Sequence, residues 1–185
     1  MGKIIGSAYI SLDGFFLSGQ LDWLPPDAEM NKDALALLDG VDVVLLDTQA
    51  YQEMSYYWPT VNNQSSPDEQ AFAKKINKVQ KLVITETPLE TTWKNTTVLN
   101  AASDYAEKLI KLAQENENNI VIYGGPGLLQ KSIRLGVVNQ YHFLVCPIMT
   151  GNGMPITGKL DSATILKLGR TKQYDNGVTL LEYST

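Results

Sequence analysis

The chain has 185 residues, 44% of them hydrophobic, which is enough for one well-buried core and too little to require two. A net charge of -5 argues against a nucleic-acid or anionic-membrane partner, because either needs clustered Lys and Arg to displace counterions. The single Cys146 cannot form an internal disulfide, the start Met1-Gly2-Lys3-Ile4-Ile5 lacks the long apolar region of a secretory signal, and no stretch has the apolar length of a membrane span; a cytoplasmic setting is expected.

Residues 3–12 read as a first strand, followed by a loop holding Asp13-Gly14 and Pro25-Pro26 that leads into a helix over 28–38. Val41 to Leu46 is a short, continuously apolar run of the kind that forms a strand covered on both faces. A short helix is predicted over 49–54, and the Pro-punctuated stretch from Tyr56 through Pro67 reads as a loop. Pro67-Asp68-Glu69 suits the first turn of a helix running to Ile76, since proline loses no hydrogen bond there and carboxylates favour the positive helix end.

Strands are then expected over 81–85 and 96–99, and an amphipathic helix over 103–114 with Ala106, Leu109, Ile110 and Ala113 on its apolar side. Ile120-Val121-Ile122-Tyr123 repeats the buried-strand signature and runs into Gly124-Gly125-Pro126-Gly127 and a helix over 128–135. A strand over 137–146 follows. The Gly-rich loop 150–155 reads as mobile, and Asn176-Gly177 between 165–174 and 178–183 predicts a hairpin with a tight primed turn. Alternating strands and helices with a terminal hairpin predict a single α/β domain over 1–185: three layers, helices flanking a mixed, mostly parallel sheet with a C-terminal antiparallel hairpin.

Few residues stand out chemically. The Gly124-Gly125-Pro126-Gly127 bend joins a buried strand to a helix, where backbone N–H groups and the helix dipole can meet a phosphate; glycine also serves such bends for tightness alone. Asp27 follows Trp23-Leu24-Pro25-Pro26 at a helix start. Either it caps the helix, or the aromatic neighbour raises its carboxyl pKa and makes it a proton donor. Asp13 divides the same way between lining a pocket and ordinary Asp-Gly turn chemistry. His142, the only histidine, has no Cys or Glu at ligand spacing and reads as a packed strand residue, so no metal is expected. Tyr51, Tyr56, Tyr57 and Trp58 suit a ring-binding wall, a dimer contact or core packing alike.

Four segments in this order carry a family resemblance: Ser11-Leu12-Asp13-Gly14, Tyr57-Trp58-Pro59, Val121-Ile122-Tyr123-Gly124-Gly125-Pro126-Gly127-Leu128-Leu129, and Leu144-Val145-Cys146-Pro147-Ile148-Met149-Thr150-Gly151-Asn152-Gly153. Over nearly its whole length the chain resembles the dihydrofolate-reductase-like reductase domain at the C-terminus of bifunctional riboflavin-biosynthesis proteins. The resemblance implies a homodimer that binds a nicotinamide cofactor, NADPH by family habit, across the carboxyl ends of the strands. It places the diphosphate at Gly124, Gly125, Pro126, Gly127 and Leu128, and a small heterocyclic or carbonyl substrate near Asp13, Trp23 and Asp27, such as 5-amino-6-(5-phosphoribosylamino)uracil. The second strand of such domains is usually followed by Gly-Arg-x-Thr, and here the chain has Asp47-Thr48-Gln49-Ala50. After the third strand Thr85-Glu86 replaces Ser or Thr followed by Arg. A carboxylate at Glu86 repels a 2′-phosphate and accepts from a ribose diol, which favours NADH over NADPH. The same departures favour an alternative, a non-catalytic ligand-binding or dimeric protein on the same scaffold.

Overall fold

Short β-branched runs alternating with amphipathic segments build one sheet in the computed structural model, which describes residues 2–17, 21–100, 105–115 and 119–185. Among the described residues the strands are β1 (Ile4–Ser11), β2 (Val43–Asp47), β3 (Gln80–Thr85), β4 (Thr96–Asn100), β5 (Ile120–Ile122), β6 (Gln140–Cys146), β7 (Lys167–Gln173) and β8 (Thr179–Ser184). The helices are α1 (Ala28–Asp39), α2 (Thr48–Tyr57), α3 (Pro67–Ile76), α4 (Tyr105–Glu115) and α5 (Pro126–Arg134). Strand order is β4-β3-β2-β5-β1-β6-β8-β7. Pairing is parallel from β4 to β6 and antiparallel at β6–β8 and β8–β7. The carboxyl ends of β1, β2, β3, β5 and β6 therefore emerge along one edge.

The period of two in each strand sorts its side chains between two helical layers. Val43 and Leu45 join Ile4, Ile120, Ile122, Leu109 and Leu129 under α4 and α5, while Val44 and Leu46 join Ile5, Val121, Tyr51 and Ile76 under α1, α2 and α3. A third cluster, Cys146, Tyr174, Val178 and Leu180, lies on the α1 face of the antiparallel half, with Met30 of α1 against it.

Local rules explain most helix ends. Ser66 caps α3 and Glu69 reaches back to the Ser66 N–H, a reciprocal pair that begins the helix at Pro67. The predicted loop from Tyr56 is instead the end of α2 through Tyr57, followed by a 3-10 turn at Trp58–Thr60, because Trp58 packs on Phe72 of α3 at 4.6 Å and holds the segment helical. Helix α5 begins at Pro126 rather than Leu128, with proline at a first-turn position that needs no N–H. In α4, Tyr105, Leu109 and Ala113 form the buried stripe, and Ile110 sits about 100° off it, 39% exposed. The predicted start of that helix, 103–104, lies outside the described residues.

The hairpin turn is not primed. In it only Gly177 has a positive φ, +87°, with its N–H donating to Tyr174 O at 3.0 Å and Tyr174 N–H donating to Val178 O at 2.9 Å. That is a type I turn closed by a left-handed glycine. Tertiary contacts select it: Asn176 Nδ2 donates to Pro25 O at 2.9 Å and the Asp175 N–H donates to Asp27 at 2.8 Å.

Candidate active site

At the centre of the carboxyl edge, β5 turns into α5 against the end of β2. The Tyr123 and Gly124 N–H groups both donate to Leu45 O, at 3.1 and 3.0 Å. A Cβ on Gly124 would lie 2.7 Å from Asp47 N and 3.0 Å from the Leu46 carbonyl carbon, so only glycine permits this approach of two backbones. Gly125 occupies the cap position of α5, no side chain caps that helix, and the space beside Gly127 is open. Pro126 has no N–H to offer. Leu128 returns its N–H to Gly125 O at 3.1 Å and buries its side chain in the core. Of the five residues predicted to hold a diphosphate, Gly127 alone is exposed, Gly124, Gly125 and Pro126 are half-buried, and Leu128 is buried.

A carboxylate already stands beside this bend. Asp47, the last residue of β2, caps α2 by accepting from Ala50 N at 2.8 Å, and a Cβ built on Gly125 would run into its carboxyl group. The N-termini of α2 and α5 thus converge on an anion the chain supplies itself. Sequence reasoning noted Asp47 only as part of a departure from Gly-Arg-x-Thr; an Asp directly before a helix was the cap signal that marks it. Of the two uses expected for the glycines, tightness holds at Gly124; the Gly125 side of the bend is lined by a carboxylate, and the space beside Gly127 is open.

Thr48, the first residue of α2, is half-buried beside this cap. Thr85 is buried at the end of β3, where its hydroxyl donates to Thr87 O at 2.9 Å and accepts from Thr87 N at 3.2 Å, so it is committed to the turn that follows the strand. Glu86 follows it, exposed. Asp13, Asp47 and Glu86 therefore put three carboxylates at or just beyond the ends of β1, β2 and β3.

Asp27 does not have the environment of a raised acid. One carboxyl oxygen accepts from Glu29 N and Met30 N, both at 2.9 Å, and the other accepts from Asp175 N at 2.8 Å. The Met30 N–H, opposed by burial and supported by donors from Asp175, Asn176 and Glu29, holds its carboxyl below the usual range. It caps α1 and ties the hairpin turn to that cap. Trp23, predicted to shield it, is 45% exposed.

Asp13 is a tether. It accepts from Thr150 N at 3.2 Å and Gly151 N at 2.7 Å, and the Ser11 hydroxyl leads the hydrogen bonds that lower its pKa. The glycine-rich loop predicted to be mobile is held by these bonds and by Phe16 N to Met154 O at 2.9 Å and Ile156 N to Gly14 O at 3.0 Å.

The remaining candidates do not gather at this edge as one group. His142 is half-buried on β6 against Gln140 at 3.0 Å, and burial pushes its pKa down against the pull of Glu182. Among the described residues no cluster of three or more His, Cys, Asp or Glu has a metal-binding arrangement. The four aromatics separate. Tyr51 is buried and its hydroxyl accepts from Thr92 N and Trp93 N, Tyr57 pairs with Glu69, Trp58 packs on Phe72, and Tyr56 is exposed.

A family model for the RibD C-terminal domain matches residues 2–180. Among curated proteins, the chain is similar to the uncharacterized protein YyaP of Bacillus subtilis (strain 168), 25% identical over 183 residues that cover 98% of this chain and 94% of that one. Among solved structures, a putative riboflavin biosynthesis protein from Shewanella sp. PV-4 matches with a TM-score of 0.73 at 17% identity, covering 98% of both chains. Dihydrofolate reductase from Enterococcus faecalis, complexed with NADP(H), matches at 0.57 and 13% identity, covering 99% of this chain and 96% of that one. At these identities the structural likeness is one of fold.

Proposed function

Since the chain belongs to the RibD C-terminal domain family, we propose that it is a reductase of the riboflavin-biosynthesis type that takes NADH in preference to NADPH. The substrate would be a small heterocyclic or carbonyl compound; 5-amino-6-(5-phosphoribosylamino)uracil is the first to assay. The observation that carries this reading is the uncapped start of α5 at the carboxyl edge, with open space at Gly127, where partial positive charge can meet a diphosphate.

A bound nicotinamide would supply the hydride. The chain's own residues would supply position and field. Gly125 and Gly127 offer backbone, and the Asp13 tether fixes the loop after β6 over the same edge. Asp27, ionised and committed to α1, is no proton donor in this reading, so the proton would come from water or from the substrate's own exchangeable groups.

The preference for NADH follows from Glu86, the residue set against the 2′-phosphate by the resemblance; Asp47 lies at the Gly125 bend and opposes the diphosphate that both cofactors share. Two like charges about 4 Å apart repel by about 4 kcal/mol at an effective dielectric near 20, before screening, which exceeds the gain from one ordinary hydrogen bond. Titration by nicotinamide fluorescence tests it. NADH should bind at least about tenfold more tightly than NADPH. Glu86→Gln should narrow the gap chiefly by strengthening NADPH binding, whereas Asp47→Asn, which still caps α2, should strengthen both cofactors alike. Tight NADPH binding beside weak NADH binding in the unaltered chain would refute the charge argument.

The Asp47 carboxylate against Gly125 also favours a second reading, a non-catalytic ligand-binding or homodimeric protein whose anion cradle is closed by its own side chain. Failure of both cofactors to bind would select it.

A further inference from the structure

We infer that the phenol groups of Tyr9 and Tyr123 are the specificity-determining donors of the substrate site, selecting an uncharged ring that presents carbonyl or imine acceptors. This inference rests on the reading of the carboxyl edge as the ligand side.

The placement comes from strand register. Gly6 of β1 lies opposite Ile122 of β5, so Ser7 lies opposite Tyr123, and Tyr9 is two residues farther along β1 on the same face. That face is the one covered by α1 and α2. Tyr123 packs against the cluster containing Ala50, Tyr51 and Val121, whereas Tyr9 packs against Cys146, Tyr174 and Leu180 with Leu17, Leu24 and Met30 nearby. The two rings mark the seam between these clusters, just below the carboxyl edge.

Both rings are half-buried, so their apolar bodies are anchored while part of each stays reachable. Neither hydroxyl has a hydrogen-bond partner among the described residues, and neither is among the fully covered polar atoms that lack one. Five other tyrosines are engaged: Tyr51 with Thr92 and Trp93, Tyr57 with Glu69, Tyr105 with Ser132, Tyr141 with Val138 O and Tyr174 with Asp33; of the two that are not, Tyr56 is exposed and Tyr183 lies opposite Tyr141 near the start of β6, away from the carboxyl edge. A phenol partly removed from water and given no protein partner is a donor held ready for something else.

The charge around the seam defines that something. Burial raises the pKa of both phenols, with Cys146 adding to the effect on Tyr9 and Tyr9 adding to that on Tyr123, so each keeps its proton and donates. A phenol that holds its proton so firmly binds and polarises an acceptor; it does not release the proton to it. Asp13, Asp27 and Asp47 on the surrounding loops and helix starts oppose an anionic ring, and phenol donors give no advantage to a cationic one. A neutral heterocycle with exocyclic oxygens or ring imines matches both conditions.

The test uses the full chain and lumazine, a fluorescent fused pyrimidine that is neutral below neutral pH, against Tyr9→Phe and Tyr123→Phe. Phenylalanine keeps the ring and removes only the hydroxyl. Wild type should bind lumazine saturably, and each variant should bind about three- to tenfold more weakly, the weight of one neutral hydrogen bond. Melting temperatures should stay within about 2 °C, because the lost hydroxyl has no protein partner. Equal binding by the variants, a drop of about 5 °C or more in either, or no saturable binding by wild type overturns the inference. NADH titration of wild type separates the two readings: lumazine binding without NADH binding sinks only the reductase proposal, and the converse sinks only this one.

Discussion

The two halves of the sheet solve burial in different ways. In the parallel half, β2 is covered on both faces and Val43, Val44, Leu45 and Leu46 are fully buried. In the antiparallel half, most of β7 is exposed and its face toward α1 carries charge instead: Arg170 reaches Asp33 at 3.2 Å and Glu182 at 3.6 Å, while Lys172 reaches Asp33 at 2.8 Å and Glu29 at 3.3 Å. Burial pushes the Asp33 carboxyl up, but donors from Lys172, Tyr174 and Arg170 outweigh it and hold the pKa down. The parallel half supplies stability and the carboxyl edge at which the ligand is proposed to bind. The charged half orients α1 and the hairpin around the Asp27 cap.

If that division is right, truncation should hurt most in the parallel half. Leu45→Ala should cost about 3 kcal/mol, a fall of roughly 10 °C in melting temperature, because the site is walled on both faces and cannot collapse easily. Thermal and urea unfolding would measure it, and a cost under about 1 kcal/mol would contradict the packing.

A second effect comes from an ion inside the parallel half. Lys81 on β3 is fully buried, with its Nζ donating to Ile76 O at 3.1 Å and Asn77 O at 3.2 Å, 4.5 Å from the Trp93 ring centroid. It caps the last carbonyls of α3. Burial lowers its pKa from 10.5 to about 8. Between those values the unfolded chain holds a proton that the folded chain has released, so this site's contribution to stability rises with pH across the window, by about 3 kcal/mol at most. The contribution is complete above about 10.5 and lost as pH falls through about 8. Cys146, pushed up to about 11, acts with the opposite sign near the top of the window. The measurement is therefore the difference between wild type and Lys81→Met, and a pH-independent difference would remove the claim.

The smallest effect belongs to the charged ladder. Arg170→Ala should cost less than about 1 kcal/mol, since its pairs are solvent-accessible, and the cost should shrink further in high salt. A loss comparable to that of Leu45→Ala would mean that the ladder, and not the parallel core, holds the domain together.

The difference between the halves also explains what was legible in the chain. Buried strands advertise themselves, because a strand covered on both faces must be apolar at every position; β2, β3 and β5 were each read within two residues of their ends. The α3 start was equally plain in Pro67-Asp68-Glu69. The hairpin was legible as a hairpin, but not its turn type, which depends on Pro25 and Asp27, about 150 residues away. The site was legible only in outline. Gly124 and Gly125 marked the bend, while the carboxylate that occupies one side of it comes from the end of a different strand.

Periodicity, turn residues and caps are local, so the alternation of elements, their extent to within a few residues and the position of the glycine bend were decided by the amino-acid order alone. Which side chains meet was decided by the three-dimensional arrangement. Strand order brings β2 beside β5 and puts Asp47 against Gly125; β1 beside β5 brings Tyr9 toward Tyr123; the folded hairpin turns Asp27 from a candidate acid into a bound cap. Charge and hydrogen bonding act through space over a few ångströms, and distance along the chain carries no record of that.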